Sequence, residues 1–153
     1  MTDPYGRLVE LGLSLPNSSP PLAAYVPAVR SGNHVYVSGQ LPMIDGKLPA
    51  TGKVGAEVSP EDAKQLAARC ALNGLAVIDG IVGLGRVRRV VKVTGFVASA
   101  EGFTGQPGVI NGASELFTSV FGDAGQHARS AVGVAELPLG APVEVEVIVE
   151  VAD

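Results

Sequence analysis

A chain of 153 residues, 46% hydrophobic and 17% charged, has the size of one domain with its own core. Its formal net charge of -4 argues against a dedicated nucleic-acid or anionic-membrane partner. A single cysteine, Cys70, and two histidines leave no internal disulfide and no Cys-based zinc site.

No basic-then-apolar leader opens the chain, and no apolar run reaches about 18 residues, so a cytoplasmic soluble protein is expected. Residues 1–24 read as an N-terminal extension ahead of one domain over 25–153. Asp3 suits a helix cap, Pro4 the first helical position and Gly12 the stop. Leu13 to Pro21 is then extended loop.

Tyr25 to Arg30 and His34 to Ser38 flank Ser31-Gly-Asn33 and predict a β-hairpin. Asp45-Gly46 marks another tight turn, and Leu48 to Gly55 reads as loop. Ser59-Pro-Glu-Asp62 starts a long helix, on which Ala63, Leu66, Ala67, Cys70, Gly74, Val77, Ile78 and Ile81 recur at helical spacing. Cys70 lies on that apolar face, as an inert core thiol would. Gly83-Leu-Gly85 precedes a strand, Arg88 to Ser99, so it is no dinucleotide fingerprint. A Gly-rich loop leads to a second helix, Gly108 to Phe121.

The last two runs organise the rest. Ala128 to Glu136 reads as a strand with Arg129 on a face with Ala131, Gly133 and Ala135, a long cation beside small residues. Val143 to Val151 alternates strictly, with five valines on one face and Glu144, Glu146, Ile148 and Glu150 on the other. The Pro/Gly-containing break between them predicts an antiparallel pair, and whether Arg129 shares a face with the glutamates depends on a register the sequence leaves open. The order β-β-α-β-α-β-β gives an α+β fold with a mixed sheet and two helices on one face. The other face is left to solvent-tolerant groups or to another subunit.

Several pieces in this order resemble the RidA/YjgF family of reactive enamine/imine deaminases, whose relatives also carry the endoribonuclease L-PSP label. They are Tyr25-Val with Gly32-Asn33 and Val37-Ser-Gly-Gln-Leu-Pro42, then Asn111 ahead of Glu115-Leu-Phe117, and last Ala128-Arg-Ser-Ala-Val with Leu137-Pro and Val143-Glu-Val-Glu146. The resemblance spans roughly residues 21–152 and implies a chorismate-mutase-like fold. It also implies a homotrimer with three clefts between subunits, no cofactor and no metal.

The resemblance further implies that Arg129 grips the substrate carboxylate, that Tyr25, Asn111 and Glu144 line the same cleft, and that Ser38 and Gly39 lie at its edge. Two departures stand beside the arginine. His127 replaces a proline common in the family, and Ala131 replaces a frequent cysteine.

The chemistry suits these residue types. A 2-imino acid needs its carboxylate held, a water placed at the C=N carbon and protons moved to nitrogen. An arginine fork binds a carboxylate through two parallel charge-assisted bonds. Glu144 can orient water or shuttle protons, Asn111 and the backbone at Ala131 can bind the amine, and Tyr25 can wall the pocket. The expected activity is therefore hydrolysis of small 2-imino acids to 2-keto acids and ammonia.

Two other readings stay open. One is a trimeric, chaperone-like or binding protein for small carboxylates that does not turn them over. The other is an endoribonuclease or translation inhibitor, against which the acidic balance and the lack of a paired acid/base histidine site both speak. Arg86, Arg88, Arg89 and Lys92 form the only basic cluster and read as a solvated strand entry. Charged residues on strands also serve simply to prevent edge-to-edge aggregation.

Overall fold

Ser59 caps the longest helix by accepting from the backbone N–H of Asp62, and Pro60 fills the first helical position of α2 (Pro60–Ile81). Its buried face carries Ala63, Ala67, Cys70, Ala71, Leu75 and Ile78. Small residues dominate, so the helix can lie close to what it covers. In the computed structural model, which describes residues 3–17 and 24–153, the surface it covers is a five-stranded sheet. The other elements are α1 (Pro4–Glu10), β1 (Ala28–Ser31), β2 (His34–Gln40), β3 (Val87–Ala98), α3 (Gln106–Phe121), β4 (Ala128–Val134) and β5 (Val143–Val151).

The sheet order is β1-β2-β5-β3-β4. All neighbours are antiparallel except β3 and β4, which run parallel with α3 as their crossover. This is the expected α+β fold, a mixed sheet with α2 and α3 on one face. The two-residue loop of the β1–β2 hairpin opens on Gly32 at φ 59, the positive value that a type II′ turn needs at its first position.

The register resolves each face. On the helix side, Ala28, Val37, Val147 and Val93 form a row across β1, β2, β5 and β3, and all four are buried. The fifth member of that row, on β4, is Arg129. The alternating valines of β5 are all buried on this side, as the period of two predicts.

One expectation fails. β4 and β5 are not a hairpin pair, because β3 lies between them. The connection instead passes over the end of β3: the Ser99 N–H donates to the Val134 carbonyl (3.1 Å) and the Ala98 N–H to that of Pro142 (2.9 Å). A Pro/Gly break resembles a tight turn in composition. Here residues 135–142 form a longer bridge containing a 3-10 turn, Pro138–Gly140, with Leu139 at φ 61.

The N-terminal helix is stapled to the body. Asp3 caps it by accepting from the Tyr5 and Gly6 N–H groups. The Tyr5 hydroxyl donates to Asp79 Oδ1 (2.6 Å) and accepts from the Leu84 N–H (3.0 Å), while Arg7 Nε donates to the Ser119 carbonyl (2.9 Å). Residues 13–17 carry no helix or strand, and the Ser18–Pro21 part of the expected loop lies outside the described residues. No helix among the described residues is long and apolar enough to cross a membrane.

Candidate functional site

The sequence-predicted site residues fall into two groups on opposite faces of the sheet. The first lies where the β4 edge meets α3. Arg129 projects from the helix face of β4, past the last buried valine of its row, and is half-buried. Its Nη1 donates to Asn111 Oδ1 (2.7 Å) and to Ser114 Oγ (3.2 Å), both on α3. Residues three apart on a helix share a face, so one stripe of α3 supplies both acceptors.

His127 closes the network. Its Nδ1 lies 2.6 Å from the Gly125 carbonyl and its Nε2 2.9 Å from Ser114 Oγ, and its ring meets Phe117 edge-on at 6.0 Å. His127 is therefore an anchored, partly buried residue of the loop that enters β4. Nε and Nη2 of Arg129 make no hydrogen bond among the described residues, and no carboxylate there pairs with this guanidinium.

Ala131 and Gly133 continue the same face of β4. The space beside these small residues is not empty. Ile110 of α3 covers Gly95, the β3 partner of Ala131, so tightly that a Cβ on Gly95 would lie 2.4 Å from Ile110 Cδ1. The Gln106 carboxamide lies over Gly133, held by the Ser99 hydroxyl (3.0 Å) and the Phe103 carbonyl (2.9 Å). The small residues thus let α3 approach.

The second group lies on the open face. Glu144 occupies the row of Phe96 and Val132, on the side away from the helices. It is half-buried against the backbone of Gly39, where a Cβ would lie 2.1 Å from Glu144 Oε2. Burial raises the Glu144 carboxyl above the usual carboxylate range, and the neighbouring Glu146 charge adds to the rise. Next to Gly39, the Ser38 hydroxyl donates to the Val26 carbonyl (2.9 Å) and its N–H to that of Pro27 (2.9 Å), tying β2 to the segment that carries Tyr25. Tyr25 itself is 47% exposed.

Arg129 and Glu144 are therefore two strands and three rows apart on opposite faces, roughly 10 Å in each direction at ordinary strand spacings. Within one chain they do not face a common space. The register, which the alternation pattern alone does not fix, decides this.

Ser114 is the residue that sequence reasoning missed. Its signal was its position three residues after Asn111 on a predicted helix. The basic cluster disperses: Arg86 bonds the Ala152 and Asp153 carbonyls, and Arg89 faces Glu150 across the strand pair. Cys70 is fully buried, and burial raises its thiol well above the ordinary value, as expected for inert core. Among the described residues no group of three or more His, Cys, Asp or Glu side chains could hold a metal ion. A groove of about 510 Å³ beside Met43, Asp45, Arg69 and Asn73 shares no residue with either half of the site.

Similar proteins match over almost the whole chain. The family model described as Endoribonuclease L-PSP matches residues 16–151. Protein TCP17 of Trypanosoma cruzi is 47% identical over 94% of this chain and 91% of its own. The protein of Dermatophagoides farinae named 2-iminobutanoate/2-iminopropanoate deaminase is 35% identical over 90% of this chain and 93% of its own. The crystal structure of Atu1372 from Agrobacterium tumefaciens, a protein described as of unknown function, superposes with a TM-score of 0.91 and is 49% identical, covering 97% of this chain and 92% of that one. By motif order, by fold and by these matches, the chain belongs to the RidA/YjgF family, the endoribonuclease L-PSP family of the matching model.

Proposed function

We propose that this chain hydrolyses reactive 2-imino acids, and their enamine tautomers, to 2-keto acids and ammonia. The observation that carries this reading is the free Nε–Nη2 edge of Arg129, held in place from behind by Asn111 and Ser114 and lacking a carboxylate partner among the described residues. That edge offers two parallel N–H groups, the geometry a carboxylate accepts side-on. The deaminase name of the mite relative denotes substrates that carry such a carboxylate next to C=N.

The chemistry needs little beyond positioning. A water oxygen bonds to the imine carbon, its proton passes to nitrogen, the C–N bond of the resulting carbinolamine breaks, and ammonia leaves the keto acid. A carboxyl group raised by burial, like Glu144, can accept and return that proton, a contribution of about 10²–10⁴-fold. Since Glu144 and Arg129 of one chain face opposite ways, the glutamate that serves a given arginine belongs to a second copy. The working form is then a homotrimer with clefts between subunits. Val29, Tyr36 and Val132, which are 51%, 47% and 43% exposed on the Glu144 side of the sheet, give such copies apolar surface to bury.

The test is ammonia and pyruvate release from 2-aminoacrylate generated in situ. Wild type decays it faster than buffer, and Arg129→Ala returns the rate to that of buffer. The separation of Arg129 from Glu144 within one chain favours one other reading, a carboxylate-binding protein without turnover. Thermal stabilisation by pyruvate, with no ammonia released from any of several imino acids, would establish that reading instead.

A further inference from the structure

With a neutral His127 ring, the hydrogen bonds behind Arg129 run in one direction. The Gly125 carbonyl only accepts, so His127 Nδ1 carries a proton and donates. In the neutral ring Nε2 is then an acceptor and takes the Ser114 hydroxyl proton. With its proton so committed, Ser114 Oγ meets Arg129 Nη1 as an acceptor. The second Nη1 proton goes to Asn111 Oδ1. Both protons of Nη1 are thereby used, and the guanidinium plane is fixed at two points.

We infer that Ser114 and His127 are positioning residues that set the rotation of the Arg129 guanidinium, so that its Nε–Nη2 edge, and not its Nη1 end, meets the substrate carboxylate. This rests on the reading of Arg129 as the carboxylate grip. Neither residue touches substrate. His127 acts by holding the Ser114 hydroxyl in the acceptor role, and Ser114 by accepting from Nη1. Without them the guanidinium keeps one tether, Asn111, and can turn about its long axis. The carboxylate then loses its fixed bidentate partner at every stage of the reaction, so the loss appears in binding rather than in the chemical step.

The test is steady-state deamination of 2-iminopropanoate by Ser114→Ala, Ser114→Thr, His127→Asn and Arg129→Ala, with pyruvate inhibition measured alongside. The asparagine amide retains a donor for the Gly125 carbonyl but does not reach Ser114, so it separates positioning from local folding. We expect Ser114→Ala and His127→Asn to raise KM and the pyruvate inhibition constant together by about tenfold, the effect of weakening a bond to a charged group, with kcat held. Ser114→Thr, which keeps the hydroxyl, should recover most of the loss. Unchanged KM in both variants, with Arg129→Ala inactive, overturns the inference and leaves the grip standing. Full activity in Arg129→Ala removes the grip and the inference with it. A fall in melting temperature with wild-type KM assigns the two residues to stability alone and also overturns it.

Discussion

The two halves of the site are built differently. At the junction of β4 and α3, a charged side chain is held through its Nη1 by two other side chains, one of them anchored in turn by His127. On the open face, Glu144 lies against the bare backbone of Gly39 with no fixed partner among the described residues, and burial raises its carboxyl. The cation is held by two hydrogen bonds, whereas the carboxylate has none among the described residues and its carboxyl is raised by burial. A binding group benefits from rigidity, and a proton shuttle benefits from a pKa near the working pH. The contrast supports the proposed division into grip and shuttle.

The largest effect that tests this division is on the shuttle. Glu144→Gln should lower kcat by about 10²–10⁴-fold while changing KM little. A variant that instead raises KM at constant kcat would make Glu144 part of the grip and erase the distinction.

Two glycine substitutions sharpen it further. A Cβ at Gly112 would lie 1.9 Å from the Lys64 carbonyl oxygen, a backbone atom of α2. Gly112→Ala must therefore push the two helices apart, at about 1–3 kcal/mol, and it displaces the helix that carries Asn111 and Ser114. A Cβ at Gly39 meets only the far end of the Glu144 side chain. Gly39→Ala should thus leave the melting temperature nearly unchanged and lower kcat by displacing the carboxylate. Equal destabilisation by both substitutions, read by thermal melts, would show that Glu144 is held as firmly as the arginine.

The smallest effect is electrostatic. Because the Glu144 carboxyl is raised in the folded state, its contribution to stability is complete below the ordinary carboxylate pKa and is lost as pH rises through the raised value. Wild type should therefore lose melting temperature relative to Glu144→Gln as pH climbs from about 4 toward neutrality. A relative gain over that range would mean that the group finds a cationic partner in the assembled protein.

Much of this was legible in advance, for local reasons. The valine alternation of β5 gave its buried face, Ser59-Pro60 the start of α2, and Gly32-Asn33 the hairpin. Arg129, Asn111 and Glu144 were singled out by residue type, chemistry and motif order. What stayed hidden depends on tertiary placement. The pairing of β4 with β3 rather than β5 is set by packing of α3 as a crossover between parallel strands, which no composition of residues 135–142 discloses. The opposite facing of Arg129 and Glu144 follows from that pairing. Ser114 and His127 become partners only because the 3-10 turn Gly122–Gly125 returns the chain alongside α3.

The order of the strands also bears on how the chain acquires its shape. β5 comes last in sequence among the strands and sits in the middle of the sheet, pairing with β2 on one side and β3 on the other. Until it docks, the β1–β2 hairpin and the β3–α3–β4 unit are separate pieces with no shared strand pairing. The arginine pocket lies wholly within the second piece and can be assembled early from contacts close in sequence. The carboxylate half needs Gly39 and Glu144 to meet across more than a hundred residues, so it waits for a long loop closure. During synthesis, the arginine half of the site thus precedes the carboxylate half.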